Sequence, residues 1–202
     1  MNIRRLSAPF RGTDLAELNA GDLVYISGIL VTGRDEVHHR VVRRHLPPPV
    51  DLTGRAIFHA GPIVKQHPSG AYEVVSIGPT TSMRMEQCEA EFLEATGVRL
   101  IVGKGGMGPK TAEACRTLGA VHTVFPGGCA VLAADRVTAV EGVEWLDLGM
   151  PEAMWIMAVQ DFGPLIVSID TGGNNLFEHN RALFTRRKDA ALDELSLSFK
   201  ER

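Results

Sequence analysis

The chain has 202 residues, 45% of them hydrophobic, which is enough for one sizeable buried core. Its 21 basic and 24 acidic residues give a formal charge of −3, and this near balance argues against a nucleic-acid surface, which normally carries a basic excess. No stretch approaches the roughly 20 apolar residues that cross a bilayer, and the cysteines lack the spacing of disulfide frameworks or zinc sites. We therefore expect a cytoplasmic protein without nucleic-acid or membrane partners.

The N-terminal part of the chain has the pattern of strands separated by turns. Leu23 to Val31 is a dense run of apolar and β-branched residues that ends at a Thr-Gly pair. Ala56 to His59 and Tyr72 to Ile77 are shorter apolar runs bounded by glycine and proline, and they predict further strands.

After residue 78 the pattern changes to an alternation of helix and strand. Good helix formers with apolar side chains near one face predict a helix over Met83 to Thr96. The further predicted strands are Arg99 to Gly103, Val121 to Phe125, Trp155 to Val159 and Leu165 to Ile169, and the further predicted helices are Pro109 to Leu118 and the charged tail from Leu176. This order indicates a single α/β domain over residues 1–202, with a strand-rich N-terminal half and a C-terminal half of alternating strand and helix.

The segment GPTTSMR (residues 78–84) places hydroxyl side chains between a predicted strand and a predicted helix. Free N–H groups at a helix N-terminus attract an anion, and Arg84 adds a forked donor suited to a carboxylate. Simple capping of the helix by Thr81 or Ser82 is the alternative interpretation, because serine and threonine are common cap residues.

The segment GKGGMG (residues 103–108) satisfies the G-x-G-x-x-G dinucleotide pattern. That pattern also needs an acidic residue about 20 positions further on, and the segment FPGG (residues 125–128) supplies none. The phosphate-binding loop pattern fails as well, because Pro109 stands where its lysine belongs. Two interpretations remain: a loop that presents Lys104 to an anion, or a glycine turn with a solvated lysine.

The segment TGRDEVHHR (residues 32–40) directly follows the most apolar predicted strand, a place where loops commonly hold functional groups. Arg34 is a candidate anion clamp, and His38 is a candidate general acid or base. A solvated, charge-paired turn is the alternative, and the adjacent histidines lack the spacing of a local metal site. His59 and His122 lie in or beside apolar runs and are interpreted as core histidines.

Three cations share one context, because Arg34, Arg84 and Lys104 each follow a predicted strand. If these loops converge, the cations face a hydroxyl-rich segment. Such a site suits a small ligand with two carboxylates better than a nucleotide.

Motifs spread along the chain occur in the order TGRDxxH, IFHAGPIV, GPTTSMRM, GKGGMG, PGGCAVLA, LGMPEAMW and FGPLIVSID. In this order they resemble the β subunit of the iron–sulfur class I hydro-lyases, the group of two-subunit class I fumarases and L(+)-tartrate dehydratases. The resemblance covers residues 12–189. It implies a swivelling β/β/α fold and an α subunit that holds a [4Fe–4S] cluster, the Lewis acid for loss of water, in an α₂β₂ assembly. The ungrouped cysteines agree with a chain that holds no cluster itself.

The resemblance also implies roles for side chains that act on a small dicarboxylate. The proton-transfer candidates are His38, because an imidazole titrates near neutral pH, and Thr80, which would need activation by an acidic residue of the α subunit. The residues implied to bind the substrate are Arg34, Thr81, Arg84 and Lys104.

The segments SMRM, GMGP and SIDTxGNNL are more similar to the tartrate enzymes than to the fumarases. L(+)-tartrate, converted to oxaloacetate and water, is therefore the leading substrate. Interconversion of L-malate and fumarate is the alternative, because the same clamp serves either four-carbon diacid. A nucleotide-binding module and a subunit that binds or scaffolds without catalysis are the alternatives from other classes.

Overall fold

The computed structural model describes residues 2–200, with side chains described for residues 2–192, so the outermost residues of the predicted 1–202 domain lie outside the described part. The strands are β1 (Ile3–Ser7), β2 (Leu23–Thr32), β3 (Ala56–Phe58), β4 (Ala60–Gln66), β5 (Tyr72–Pro79), β6 (Leu100–Gly103), β7 (Val121–Val124), β8 (Val137–Glu144) and β9 (Met154–Ile169). The α-helices are α1 (Gly12–Ala16), α2 (Asp35–His38), α3 (Glu89–Thr96), α4 (Pro109–Leu118), α5 (Ala130–Ala134) and α6 (Leu176–Lys200). None of the described helices has the length and apolar character needed to cross a membrane.

The main sheet closes on itself. Its order is β1-β2-β3-β6-β7-β9-β8, and β9 also pairs with β2, so β2, β3, β6, β7 and β9 form a closed ring of strands. The first four of these strands run parallel, whereas β9 is antiparallel to both β7 and β2. Strands β4 and β5 form a separate antiparallel hairpin. This architecture confirms the predicted α/β fold with its strand-rich N-terminal half.

The core has two layers, one on each face of the sheet. Phe58 of β3 belongs to the layer inside the ring, where its ring centroid lies 5.4 Å from that of Phe162. The preceding residue, Ile57, belongs to the layer that contains Phe92 of α3 and Cys115 of α4. Because neighbouring side chains of a strand point to opposite faces, β3 is buried on both sides and its sequence is apolar throughout.

The register of the parallel strands brings several strand ends to one edge of the sheet. Thr32 of β2 pairs with Phe58 of β3, which pairs in turn with Val102 of β6. The loops after these strands carry Arg34 and Lys104, so two predicted anion-binding residues leave the sheet at the same edge. Carboxyl ends of parallel strands are the usual place for binding sites in such sheets.

The strand predicted over Leu23 to Val31 and the helix predicted over Pro109 to Leu118 are confirmed, the helix with the same bounds. The helix predicted over Met83 to Thr96 is only partly correct. Ser82–Arg84 form a single 3₁₀ turn, and α3 does not begin until Glu89.

The two late strands predicted over Trp155 to Val159 and Leu165 to Ile169 are one continuous strand, β9. Asp161 lies between them with a φ of 46°, and the pairing of β9 with β2 contains register shifts in this region. These irregularities bend the strand without ending it, which lets β9 pair with β8, β2 and β7 along its length.

Candidate active site

Arg34 follows β2 and is fixed by two carboxylates. Its Nε atom lies 2.8 Å from Oε1 of Glu152 and 3.4 Å from Oδ2 of Asp35, and the side chain is 21% exposed. A Cβ atom at Gly61 of β4 would lie 2.5 Å from the Pro151 carbonyl oxygen and 3.0 Å from Arg34 Nη1, so this glycine allows both to approach closely. The arginine is thus held by carboxylates while its side chain remains partly open to solvent, a suitable arrangement for a carboxylate ligand.

Arg84 reaches the same place from a distant part of the chain. Its Nη2 atom lies 2.8 Å from Oδ2 of Asp35, the oxygen that also faces Arg34 Nε. Its Nη1 atom donates a hydrogen bond to Oγ1 of Thr80 at 3.4 Å. The Asp35 carboxylate lies between the two guanidinium groups and reduces their mutual repulsion. The structure thus brings Arg34, Arg84 and Thr80 together.

Lys104 joins this group through the backbone. Thr81 and Lys104 form an isolated parallel bridge, and the backbone N–H of Ser82 donates to the Lys104 carbonyl at 3.0 Å. The side chains of Thr81 and Lys104 are exposed. Among the side chains that the structure describes, Lys104 makes no ion pair, so its ammonium is available to an anion.

The prediction of a helix N-terminus at GPTTSMR (residues 78–84) is wrong, and so is the alternative that Thr81 or Ser82 caps this helix. Thr81 precedes a three-residue 3₁₀ turn and makes no side-chain cap bond. The Ser82 hydroxyl points into the protein, where it pairs with His59 Nδ1 and accepts the N–H of Lys104. Because these inward bonds hold the segment, the chain enters α3 later than its helix-forming residues suggest. Cationic side chains, and not a helix dipole, are therefore the anion-attracting feature here.

The glycine-rich loop after β6 is filled by the protein itself. The Glu86 carboxylate accepts hydrogen bonds from the Gly108 N–H and the Thr111 hydroxyl, both at 2.7 Å, at the start of α4. A nucleotide phosphate would need these donors at the helix N-terminus. A Cβ atom at Gly106 would lie 2.7 Å from the Phe177 ring, so this glycine serves the close approach of α6. Both observations argue against a nucleotide-binding module.

Arg34, Arg84 and Lys104 are called the cation group below. His38 lies beneath this group and not beside it. The side chain is 1% exposed, and its ring stacks on Phe92 with 4.1 Å between ring centroids. Its Nδ1 atom is 2.9 Å from the carbonyl oxygen of Arg34, and its Nε2 atom is 3.3 Å from Oε2 of Glu89. Both ring nitrogens of this predicted proton-transfer residue therefore face the protein interior.

The sequence analysis did not predict that Glu89 and His59 lie next to His38. His59 is buried as expected of a core histidine, but its Nε2 atom lies 3.3 Å from Oε2 of Glu89. A signal was present in the sequence: Glu89 precedes Phe92 and Leu93 by three and four positions, so a charge stands on the apolar face of the predicted helix. A charge at such a position indicates a buried partner.

The ionisation of this buried group follows from its surroundings. Burial acts to raise the pKa of Glu89, but the facing imidazoles of His59 and His38 outweigh it, and the pKa is lowered. Burial lowers the pKa of His59 although Glu89 opposes the change. Burial also lowers the pKa of the neighbouring His122 to about 3. The carboxylate is therefore ionised at neutral pH, and His59 and His122 favour the neutral form.

Within the described residues, His38, His59 and Glu89 are also the group whose ligand atoms lie close enough to hold a metal ion, all within 4.8 Å of one another. The three free cysteines do not belong to it. Iron–sulfur clusters are normally held by grouped cysteine thiolates, so this group of two imidazoles and one carboxylate does not fit such a cluster.

The chain is similar to known proteins along most of its length. The profile described as Fumarase C-terminus matches residues 3–180. The chain is 54% identical to the L(+)-tartrate dehydratase subunit beta of Escherichia coli (strain K12) over 94% of each chain. It is 44% identical to a putative L(+)-tartrate dehydratase subunit beta of Methanocaldococcus jannaschii, over 82% of this chain and 86% of that one. It is 43% identical to a putative fumarate hydratase class I of Geobacillus stearothermophilus, over 86% of this chain and 33% of that longer one. With its closed α/β sheet and a match over most of its length, the chain belongs to the Fumarase C-terminus family.

Proposed function

We propose that this chain is the β subunit of a hydro-lyase that converts L(+)-tartrate to oxaloacetate and water. The observation that carries this proposal is the 54% identity with the L(+)-tartrate dehydratase subunit beta of Escherichia coli, which extends over 94% of both chains. The converging cations agree with it, because tartrate is a small dianion.

Three cationic side chains face the two carboxylates of the substrate, with part of their charge already offset by Asp35 and Glu152. Arg34 and Arg84 lie side by side around Asp35, and their forked donors suit one carboxylate. Lys104 binds the other carboxylate as a point charge. Thr81, exposed beside Lys104, donates a hydrogen bond from its hydroxyl.

The cations also serve the chemical step. Dehydration removes a proton from one carbon and hydroxide from the next, which leaves the enol of oxaloacetate, and this enol then tautomerises to the ketone. Negative charge develops beside a carboxylate as the carbon acid loses its proton. Positive groups already fixed in place, such as Arg34 held by Glu152, stabilise that charge without reorganisation.

Two residues remain candidates for proton transfer. Thr80 is half-buried at the edge of the cation group, and Arg84 donates to its Oγ1, which favours a more negative oxygen there. This position supports contact between Thr80 and the substrate. His38 is enclosed between Arg34 and Glu89, which supports a role behind the site.

A partner α subunit completes the enzyme in this proposal and holds the [4Fe–4S] cluster, in an α₂β₂ assembly. The name "subunit beta" of the relatives supports a partner, and the ungrouped cysteines support a cluster held elsewhere. Met83, next to Arg84, is 49% exposed, and Met150, which accepts the N–H of Val64 in β4, is 41% exposed. Exposed methionines near the cation group suit a subunit interface. The free cysteines also support a reducing compartment such as the cytoplasm.

The test is to co-express this chain with the α subunit of the same organism, purify the complex without oxygen, and compare turnover of L-tartrate, L-malate and fumarate. The proposal is supported if the complex forms oxaloacetate from L-tartrate faster than it interconverts L-malate and fumarate. A complex with Arg84→Met should lose turnover, and one with Arg4→Met, a surface arginine on β1, should keep it.

The second candidate is a class I fumarate hydratase, favoured by the 43% identity with the relative of that name. A preference for L-malate and fumarate in the same assay would establish it. No turnover of any of the three substrates, with the cluster intact, would contradict both hydro-lyase assignments.

A further inference from the structure

A single buried carboxylate lies directly behind the cation group. Oε2 of Glu89 is 3.3 Å from Nε2 of His38 and 3.3 Å from Nε2 of His59, and the three side chains are at most 1% exposed. A carboxylate removed from water needs a positive charge or hydrogen-bond donors close by. Two imidazoles are the groups placed to supply them.

His38 links Glu89 to the Arg34 loop. A carbonyl oxygen only accepts hydrogen bonds, so the His38 Nδ1 atom, 2.9 Å from the Arg34 oxygen, must carry a proton. On the other side of the ring, the Nε2 atom faces Oε2 of Glu89 at 3.3 Å. His38 therefore lies between the Arg34 backbone and the Glu89 carboxylate.

His59 links the same carboxylate to the segment on the other side of the site. The Ser82 hydroxyl accepts the Lys104 N–H at 3.2 Å and pairs with His59 Nδ1 at 3.0 Å. The Nε2 atom of His59 faces Glu89 at 3.3 Å. The backbone of His59 reaches the site as well, because its carbonyl accepts the Thr80 N–H at 2.6 Å.

We propose that Glu89, His38 and His59 form a positioning unit that holds the two halves of the substrate site in a fixed position relative to each other. One half is the Arg34 loop, and the other is the segment from Thr80 to Lys104. Both Nε2 atoms face the same Glu89 oxygen at 3.3 Å, so one carboxylate connects the two histidines. The inference rests on the proposed function only in that these two halves bind the substrate, and the unit acts through them.

The surroundings leave the unit little freedom. A Cβ atom at Gly103 would lie 1.7 Å from the Ser82 hydroxyl oxygen and 3.2 Å from His122 Nε2. Ser82 is therefore confined between β6 and His59. His122 is the further titratable group at this point, and its Nδ1 atom bonds to the Ser168 hydroxyl.

The first test compares Glu89→Gln with Glu91→Gln in the assembled enzyme. Glu91 lies on the exposed face of the same helix, so it is a matched control for charge and helix position. Loss of the buried charge should lower kcat/KM for L-tartrate on the order of 10²-fold, with KM raised because the clamps move apart. The control should stay within about twofold of wild type. Unchanged kcat and KM for Glu89→Gln would overturn the proposal.

The second test does not depend on turnover. Histidine labelled with ¹⁵N in this subunit of the complex should show Nε2 signals of His38 and His59 that shift in Glu89→Gln and stay in place in Glu91→Gln. Unchanged Nε2 signals in Glu89→Gln would overturn the proposal, as would a stoichiometric divalent metal ion that is lost in that variant. If the wild type turns over none of the diacids, the function fails, while the histidine signals still test the unit.

Discussion

The Nη2 atom of Arg84 lies 2.8 Å from Oδ2 of Asp35, so the arginine that follows β5 is attached to the start of α2, which follows β2. Asp35 is 30% exposed and Arg84 49% exposed, and ion pairs of this kind contribute about 0–1 kcal/mol. The contact orients the arginine without binding it tightly. A carboxylate ligand can therefore share or replace Asp35 as the partner of Arg84 at small cost.

Replacing Arg34 by lysine should weaken substrate binding. A lysine cannot keep the contact with Glu152 and still present a planar pair of donors. Loss of a charge-assisted bond costs about 1.5–3 kcal/mol, which corresponds to a rise in KM of about 10-fold or more. Steady-state kinetics of the complex with L-tartrate measure the effect. Arg5→Lys, on the exposed side of β1, is the control, and equal KM values for the two variants would contradict the role of Arg34.

Thr80→Val should lower kcat with little change in KM, because it removes the hydroxyl and keeps the shape of the side chain. A positioned proton-transfer group typically contributes 10²–10⁴-fold, so a loss of about that size is expected. Thr80→Ser should retain most of the activity. Full turnover in Thr80→Val would remove Thr80 from the proton-transfer candidates, and full turnover in His38→Asn would remove His38.

Gly103→Ala should destabilise the protein, because the new Cβ atom would lie 1.7 Å from the Ser82 hydroxyl oxygen. Overpacking of a buried site typically costs about 1–3 kcal/mol. The midpoint of thermal unfolding measures the change. Gly12→Ala is the matched control, since a Cβ atom at Gly12 meets no atom within 4 Å. Equal unfolding midpoints for the two variants would show that Ser82 has room to move away from residue 103.

Nucleotides should not stabilise the protein. The Glu86 carboxylate already occupies the Gly108 N–H and the Thr111 hydroxyl at the start of α4, so a phosphate finds no free donors there. Thermal unfolding with millimolar ATP or NAD should give the midpoint of the protein alone. A rise that depends on nucleotide concentration would revive the nucleotide-binding alternative.

Stability should fall as the pH is lowered below about 6.5, in part because of His122. Burial lowers the pKa of His122 to about 3 in the folded state, from 6.5 in the unfolded chain. Between these values the unfolded state binds the proton and the folded state does not, so stability rises with pH across this window and is lost as the pH falls through it. His122→Gln should flatten the dependence of the unfolding midpoint on pH. His39→Gln, at an exposed position, should not, and an equal slope in both variants would contradict the prediction.

The sequence alone was sufficient to predict those strands and helices whose own residues carry the pattern of the element. The run from Leu23 to Val31 predicts β2 because it is apolar and β-branched, and Pro109 predicts the start of α4 because its ring suits the first helical turn. The order of motifs along the chain also determined the family. The candidate cations Arg34, Arg84 and Lys104 could be named in the same way, because each stands in a loop after a predicted strand.

Contacts between distant segments depended on the tertiary structure. Arg84 meets Asp35, and Ser82 turns inward to His59, only because the closed sheet brings the ends of β2, β3 and β6 to one edge, where the end of the β4–β5 hairpin meets them. No local pattern encodes which side chains meet there. The late start of α3 and the inward position of His38 have the same origin: buried polar groups must find partners, and the position of those partners is a property of the whole fold.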